Sequence, residues 1–377
     1  MTAGDERFSL TRFLAARPDL RSKLGAIKAI SSRVRTNAFQ LTRECNLRCQ
    51  GCWYYANKMD EGIEDQAGLD RIREILEERL AAGITHALVV GGEPAIYPER
   101  LAVFARTLPF LSVATNGYRK IPRDGFEEVS IGLALFAGYR SDDAYRAIAA
   151  GGQRFEGLFR RGLDNYRDDE RVTVVYALSE EAIDEIAPSV DMIEQNGNLV
   201  YFSYYRHYGE DPAETAKATE ALLERALEVA QRYPGTVLSH PYYIESLIRG
   251  ETPWGRFGYD GCATISSGHP ANATRLSSGR PILPGFESYA QDLTTRRLCC
   301  ASGDCANCRD SLALSSWLLV NFKEHVRDAA SLENWIGFAD SYWRGFAWSP
   351  LHRSKAGREP AAARGGEAQT GATAFVA

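Results

Sequence analysis

Thr42-Arg-Glu-Cys-Asn-Leu-Arg-Cys-Gln-Gly-Cys-Trp53 carries three cysteines within eight residues, which marks this segment as a candidate metal site. Cys45, Cys49 and Cys52 have the spacing C-x3-C-x2-C. Thiolates are soft ligands that suit iron–sulfur clusters, zinc and copper(I). Four thiolates would fill all four irons of a [4Fe–4S] cluster. Three thiolates would leave one iron without a protein ligand, and chemistry can take place at that open position.

Two basic residues flank these cysteines. Arg43 and Arg48 are expected to favour thiolate over thiol, because a nearby positive charge lowers the pKa of a cysteine. Zinc-binding loops also use C-x2-C and C-x3-C spacings, so the cysteines alone leave zinc open as an alternative.

Three later motifs follow the cysteines in a recognisable order: Val89-Val-Gly-Gly-Glu-Pro94, then Ala114-Thr-Asn-Gly117, then Val129-Ser-Ile leading to Asp143-Ala-Tyr-Arg146. Together with the cysteines they resemble the radical SAM enzymes, which carry GGEP, TNG and S-L-D-G…H-D-x-x-R segments. The resemblance covers residues 37 to 209. It implies a [4Fe–4S] cluster bound by Cys45, Cys49 and Cys52, with S-adenosylmethionine chelating the fourth iron.

The resemblance also implies roles for residues of the later motifs. Gly91 and Gly92 would hydrogen-bond the amino group of S-adenosylmethionine, since two glycines let the backbone approach a ligand closely. Further implied cofactor contacts are Glu93, Pro94, Asn116 and Arg146. Two structural alternatives remain open: a tight strand–helix turn at Gly91-Gly92, and a surface salt bridge between Asp143 and Arg146.

One position departs from the family pattern. Most radical SAM enzymes carry an aromatic residue just before the third cysteine, packed near the adenine. Here Gly51 takes that position, and Trp53 follows the cysteine instead. The residue that contacts the adenine is therefore left open, while the assignment of the cluster ligands is not affected.

Composition excludes several other classes of function. The chain has 377 residues, a net charge of −5, 45% hydrophobic and 25% charged residues, as in soluble globular proteins. We expect no nucleic-acid surface, which would need clustered basic residues, and no membrane span. The amino terminus lacks the features of a signal peptide, so the expected location is cytoplasmic. Eight cysteines in a cytoplasmic chain favour metal ligation over disulfides.

Alternating strand and helix patterns predict an α/β fold with a parallel sheet. The resemblance implies a partial (β/α)6 TIM-like barrel, open on one side, over residues 37–233, behind an N-terminal helical cap over residues 1–36. In barrel folds the reactive groups gather at the carboxyl ends of the strands. The cysteines, Gly91-Gly92, Asn116-Gly117 and the segment Tyr204-Tyr-Arg-His207 are all expected there.

The remaining cysteines lie late in the chain, within a cysteine-rich region over residues 234–350. The C-C-x4-C-x2-C run at residues 299–308, with Cys262 upstream, indicates a second metal centre. A four-thiolate zinc site is chemically possible. The resemblance to members with a twitch or SPASM extension favours an auxiliary [4Fe–4S] cluster. The chosen ligands are Cys262, Cys300, Cys305 and Cys308, with Cys299 as the alternative to Cys300. A tail over residues 351–377 is expected to be disordered.

The resemblance implies reductive cleavage of S-adenosylmethionine to a 5′-deoxyadenosyl radical, which removes hydrogen from a substrate. A flavodoxin or ferredoxin would supply the electron. The expected substrate is a small polar molecule, such as a sugar, sugar acid or nucleoside, that undergoes dehydrogenation or decarboxylation. The alternatives are a peptide maturase acting on a ribosomally made precursor, and a non-enzymatic zinc-binding scaffold.

Overall fold

The sheet is the framework of the molecule. The computed structural model describes residues 8–56, 58–205, 216–249, 287–297 and 310–352. In this part of the chain one parallel sheet has the strand order β6-β5-β4-β3-β2-β1-β7. The strands are β1 (Thr36–Gln40), β2 (His86–Val90), β3 (Phe110–Thr115), β4 (Ser130–Phe136), β5 (Val172–Leu178), β6 (Leu199–Tyr204) and β7 (Ser288–Tyr289).

Helices precede, connect and follow these strands. Two of them, α1 (Leu10–Ala16) and α2 (Pro18–Ser31), come before the first strand. The connections contain α3 (Trp53–Ala56), α4 (Leu69–Ala81), α5 (Pro98–Thr107), α6 (Ser141–Arg146), α7 (Leu158–Asn165) and α8 (Ile186–Gln195). After β6 come α9 (Ala216–Arg232), α10 (Pro241–Arg249), α11 (Ser311–Val320) and α12 (Ala329–Arg344).

The predicted α/β class and (β/α)6 arrangement are confirmed. Strands β1 to β6 are neighbours in the sheet in the same order as in the chain, and all of them are parallel. Each connection must therefore run from the carboxyl end of one strand back to the amino end of the next. The strands form because they are rich in β-branched and aliphatic residues. In β4, for example, Ile131, Leu133 and Leu135 are all fully buried. Strands covered on both faces show this kind of apolar sequence.

Some predicted elements differ in extent from the observed ones. The sequence pattern predicts a helix over residues 98–107 and a strand over residues 199–204, and these are the observed bounds of α5 and β6. It also predicts a helix over residues 142–150, but α6 ends at Arg146. It ends early because the next residues pair with the cysteine segment. The Arg48 amide donates to the carbonyl oxygen of Ile148 (2.8 Å), and the Ala150 amide donates to that of Asn46 (3.1 Å). Strand β7, which pairs with β1, was not predicted because only two residues form it.

The chain after α12 covers the amino-terminal edge of the sheet. The indole of Trp348 donates to Ser112 of β3 (3.2 Å), and Thr173 of β5 donates to the carbonyl oxygen of Gly345 (2.8 Å). Trp317 of α11 and Trp343 of α12 are buried. The opposite, carboxyl-terminal edge carries the cysteines. No helix within the described ranges combines the length and apolarity needed to cross a bilayer.

Candidate active site and metal centre

The cysteine loop, residues 41–52, leaves the carboxyl end of β1. Its start is fixed by Asp65, which accepts hydrogen bonds from the Thr42 hydroxyl (2.5 Å) and the Arg43 amide (2.9 Å). Arg100 pairs with the same carboxylate at 3.2 Å, and both partners are largely buried. This ion pair anchors the loop to helix α5. Asp65 and Arg100 carry no recognisable motif, so sequence reasoning did not identify them.

All three thiols in the loop are free and partly buried. Cys45 and Cys49 pack against a small apolar cluster formed by Leu47, Ala147 and Leu158. Burial raises the pKa of Cys45 to about 12 and that of Cys49 to about 11, even though the Arg146 charge lowers the latter. Burial also raises the pKa of Cys52.

The expected thiolate-favouring effect of the two flanking arginines does not dominate. Arg43 pairs with the exposed carboxylate of Glu64. Arg48 donates to the Tyr55 hydroxyl at 2.7 Å and lies over its ring. The Arg48 charge does lower the pKa of Cys52, but burial outweighs it. Without a bound metal these thiols hold their protons, so metal binding has to release them.

The Gly-Gly-Glu turn after β2 lies directly against the cysteine loop. The Gly92 amide donates to the carbonyl oxygen of Thr42, and the Glu93 amide donates to that of Glu44, both at 2.8 Å. Gly91 has φ 125°, a conformation that favours glycine. A Cβ at Gly92 would overlap the Glu44 carbonyl. The structure therefore contains the tight turn that was left open as an alternative, and both glycines are needed there because two backbone segments pack closely.

Glu93 joins the Gly-Gly-Glu turn to the end of β3. Its carboxylate is buried and accepts hydrogen bonds from the Thr115 hydroxyl (2.8 Å) and the amides of Ala95 (2.9 Å) and Asn116 (2.7 Å). Burial raises the pKa of Glu93, although these hydrogen bonds lower it. Pro94 is buried at the start of the following 3-10 turn. Contacts of Glu93 and Pro94 with a cofactor stay predictions.

Asn116 connects β3 to the first cysteine. Its side-chain amide donates to Asn46 Oδ1 at 2.7 Å and approaches Cys45 Sγ at 3.7 Å. The Leu47 amide donates to the same sulfur at 3.4 Å. The predicted site residue Asn116 therefore lies next to the predicted ligand Cys45. Donors of this kind help to set the reduction potential of a cluster.

Arg146 is buried beneath the cysteine loop. Its guanidinium donates to the carbonyl oxygens of Ala134 (2.5 Å) and Asn116 (2.6 Å) and pairs with Asp142 at 2.7 Å. The predicted alternative, a surface pair with Asp143, is wrong. Asp143 instead accepts from amide groups at the start of α7, including that of Leu158 at 2.8 Å. A direct contact of Arg146 with a cofactor or substrate stays a prediction.

Tyr204 and Tyr205 end β6 at the same edge as the thiols. Tyr204 donates to Glu180 at 2.5 Å, and Tyr205 donates to the carbonyl oxygen of Gln50, inside the cysteine loop, at 3.1 Å. Arg206 and His207, which were also expected at this edge, lie outside the described residues. Tyr205 was expected at this edge from the sequence, but its contact with the cysteine loop was not predicted. The glycine at position 51 was the signal that could have identified it.

The donor set around the loop fits an iron–sulfur cluster. The loop offers three soft thiols, two of which pack against an apolar cluster, and two N–H groups point at the sulfur of Cys45. The side-chain nitrogen of Asn46 is buried beside Cys45 without a hydrogen-bond partner. Within the described ranges no three His, Cys, Asp or Glu side chains are arranged to hold a metal ion. The assignment of the ligands therefore depends on the motif and its surroundings.

The second metal centre predicted from the sequence involves the five late cysteines. Cys262, Cys299, Cys300, Cys305 and Cys308 all lie outside the described residues. The choice between a cluster and zinc, and between Cys299 and Cys300, stays a prediction.

Two curated proteins are similar to this chain. Pre-heme d1 synthase from Dinoroseobacter shibae is 24% identical over 217 residues, 51% of this chain and 51% of the relative. Fe-coproporphyrin III synthase from Methanosarcina barkeri is 23% identical over 237 residues, 56% of this chain and 58% of the relative. The chain thus spans little more than half the length of these relatives. No family model matches it.

Among solved structures, anSMEcpe with bound AdoMet is 12% identical with a TM-score of 0.45, over 62% of this chain and 68% of that one. The two curated relatives support the resemblance to the radical SAM superfamily that the motifs indicated.

Proposed function

We propose that this chain is a cytoplasmic radical SAM enzyme that cleaves S-adenosylmethionine and removes a hydrogen atom from an organic substrate. One observation supports this proposal above the others. Four motifs spread over about a hundred residues meet at the carboxyl edge of the sheet, where Asn116 contacts Cys45 and the Gly92 amide binds the cysteine loop. Carboxyl edges of parallel strands are where barrel folds place their reactive groups.

The chain's own groups can be assigned to steps of binding and shielding. Cys45, Cys49 and Cys52 would hold three irons of a [4Fe–4S] cluster. When bound, the cluster and S-adenosylmethionine supply one-electron cleavage of a carbon–sulfur bond. The amide groups of Gly92 and Glu93 already donate hydrogen bonds to carbonyl oxygens of the cysteine loop. An amino group whose lone pair binds iron would keep only N–H donors, so the carbonyl oxygens of this turn are the groups that can accept from the amino group of the cofactor.

The surroundings of the thiols favour radical chemistry. Leu47, Ala147 and Leu158 are buried against Cys45 and Cys49, and the Tyr118 and Phe155 rings pack beside them. An apolar wall keeps water away from a reactive intermediate and so limits side reactions. We assign this wall the role of shielding the reaction.

Two substrate classes are proposed. Polar side-chain pairs at the ends of β5 and β6, such as Tyr204 with Glu180, support a small polar molecule, such as a sugar, sugar acid or nucleoside. The names of the curated relatives favour a second class, a tetrapyrrole related to haem d1 or coproporphyrin III. After a hydrogen atom is removed, the substrate radical of either class would either pass a second electron to the proposed auxiliary cluster, which completes a dehydrogenation, or undergo decarboxylation. A precursor peptide is the remaining alternative.

The test of the chemistry is anaerobic reconstitution with iron and sulfide, followed by addition of S-adenosylmethionine and a strong reductant. We expect 5′-deoxyadenosine to form only when protein and reductant are both present. Cys49→Ala should abolish the product, because a cluster ligand is lost. Product formation by Cys49→Ala, or zinc in place of iron and sulfide in anaerobically purified protein, would overturn the proposal.

The substrate class is tested in the same assay. Coproporphyrin III and a nucleotide sugar acid are added separately, and the rate of 5′-deoxyadenosine formation is compared with the rate without substrate. The class that increases the rate is supported. Tetrapyrrole binding is followed independently by the change in its visible absorbance, which needs no turnover. An auxiliary cluster at Cys262, Cys300, Cys305 and Cys308 completes the proposal.

A further inference from the structure

The loop between the second and third cysteines is covered by a side chain from a distant strand. Gly51 has φ 65°, and a Cβ at this position would lie 2.6 Å from the Tyr205 hydroxyl oxygen and 3.0 Å from the carbon that bears it. Tyr205 follows β6, more than 150 residues later in the sequence. The tip of this ring therefore occupies the space that a side chain at position 51 would take.

Tyr205 is itself firmly held. Its side chain is buried, and its amide donates to the carbonyl oxygen of Leu178 at the end of β5 (2.8 Å). Its ring packs against Phe136, at 5.3 Å between centroids, and against Tyr145, at 5.0 Å. Because the buried ring has two aromatic neighbours, it has little room to move aside for a side chain at position 51.

Tyr145 and Tyr205 both hold the backbone of Gln50, one at its N–H group and the other at its carbonyl oxygen. The Gln50 amide donates to the Tyr145 carbonyl oxygen at 2.8 Å, and the Gln50 carbonyl accepts from the Tyr205 hydroxyl at 3.1 Å. Gln50 lies directly after Cys49 and two residues before Cys52. The N–H group of Gln50 is thus fixed by the backbone of Tyr145, and its carbonyl oxygen is fixed by the side chain of Tyr205.

We propose that Tyr205 is a positioning residue for the cluster ligands Cys49 and Cys52, and that residue 51 is glycine because this ring lies over it. The proposal rests on the proposed cluster at these cysteines. Removing the hydroxyl would release the Gln50 carbonyl, and the loop would gain freedom between its two ligands. A cluster whose ligands are less well fixed should lose iron faster.

The experiment measures how fast the reconstituted protein loses its site cluster to a chelator under anaerobic conditions. The EPR signal that changes on addition of S-adenosylmethionine identifies this cluster, because an auxiliary cluster with four thiolates has no open iron. For Tyr205→Phe we expect loss about fivefold faster than in the wild type, the factor that one hydrogen bond of about 1 kcal/mol contributes. Tyr205→Ala should lose iron faster still.

A second pair of variants tests the contact itself. Gly51→Ala places a methyl group against the hydroxyl and should lose iron more than tenfold faster. Gly62→Ala is the matched control, since Gly62 has a similar φ of 77° but no atom within 4 Å of an added Cβ. The double variant Gly51→Ala/Tyr205→Phe lacks the hydroxyl and should lose iron more slowly than Gly51→Ala alone. Such non-additivity is the sign of direct contact.

Each outcome is decisive. Equal rates for Gly51→Ala and Gly62→Ala, together with a wild-type rate for Tyr205→Phe, would overturn the role of Tyr205 while leaving the proposed function intact. A wild-type protein that takes up no cluster would overturn both. Circular dichroism of each variant before reconstitution confirms that it is folded, so that a faster loss of iron reports on the loop.

Discussion

Gly92→Ala is the substitution that most directly tests the packing of the site. The Cβ would overlap the carbonyl oxygen of Glu44 and lie 2.5 Å from its carbonyl carbon. Both atoms belong to the backbone, so no side-chain rotation can relieve the overlap. The cysteine loop and the Gly-Gly-Glu turn must move apart, and the hydrogen bonds from the Gly92 and Glu93 amides must lengthen or break.

The size of the effect follows from these contacts. Overpacking of this kind costs about 1–3 kcal/mol. Each of the two backbone hydrogen bonds contributes about 0.5–1.5 kcal/mol. We therefore expect the free energy of unfolding to fall by about 2–6 kcal/mol. Because the loop carries all three thiols, the cluster content after reconstitution should fall as well.

The assay is urea unfolding of the metal-free protein, followed by circular dichroism, with iron determined separately after reconstitution. Gly25→Ala is the control, because Gly25 lies in α2 with no atom within 4 Å of an added Cβ. That change should raise stability by about 0.5–1 kcal/mol, since alanine is favoured over glycine in a helix. If Gly92→Ala unfolds at the wild-type urea concentration and binds full iron, the loop and the turn do not pack as described.

Three further outcomes are expected. Asp142→Asn should lower the free energy of unfolding by about 3–5 kcal/mol because it leaves the buried Arg146 charge unpaired. The control Asp70→Asn removes an exposed pair with Arg73 and should cost under about 1 kcal/mol. Equal urea midpoints for the two variants would contradict this prediction. Burial lowers the pKa of His86 to about 3, whereas the same side chain in the unfolded chain has a pKa of about 6.5. As the pH drops from about 6.5 to 4, the unfolded chain takes up a proton that the folded protein does not. The free energy of unfolding should therefore fall by up to about 1.4 kcal/mol per pH unit. His86→Gln should reduce this dependence of the free energy of unfolding on pH, measured in unfolding curves at a series of pH values. An unchanged dependence would show that His86 is not its cause. Cys308→Ala should lower the iron content by about one cluster while 5′-deoxyadenosine formation per site cluster is kept, and unchanged iron would show that the late cysteines hold something else.

Local patterns predicted the elements that depend on neighbouring residues. The predicted bounds of α5 and β6 match the observed ones, and the cysteine loop and the Gly-Gly-Glu turn were found from their motifs. The ion-pair partner of Arg146 could not be found in this way. Asp142 and Asp143 lie four and three residues before it, and both spacings place a pair on one face of a helix. The choice is tertiary, because Asp143 is engaged by the amides at the start of α7.

The contact between Tyr205 and Gly51 shows a second limit. The two residues meet only in the folded sheet, where the carboxyl ends of the parallel strands β1 and β6 lie on the same side, and no local sequence pattern predicts that contact. What the sequence did show was an unusual glycine at a position where the family has a ring. A missing side chain in a motif is therefore a reason to search the rest of the site for the residue that fills the space.

The motif residues contact each other more than they face open space, and this changes how their substitution should be interpreted. Glu93 binds Thr115 and Asn116, Asn116 binds Asn46 and approaches Cys45, and Arg146 binds Asn116. Each of these contacts ties one strand end to the next. Loss of activity in a variant at Glu93, Asn116 or Arg146 would follow from a displaced cysteine loop as readily as from a lost cofactor contact. Only a variant that keeps its iron and its unfolding free energy, yet binds S-adenosylmethionine more weakly, would assign the residue to the cofactor.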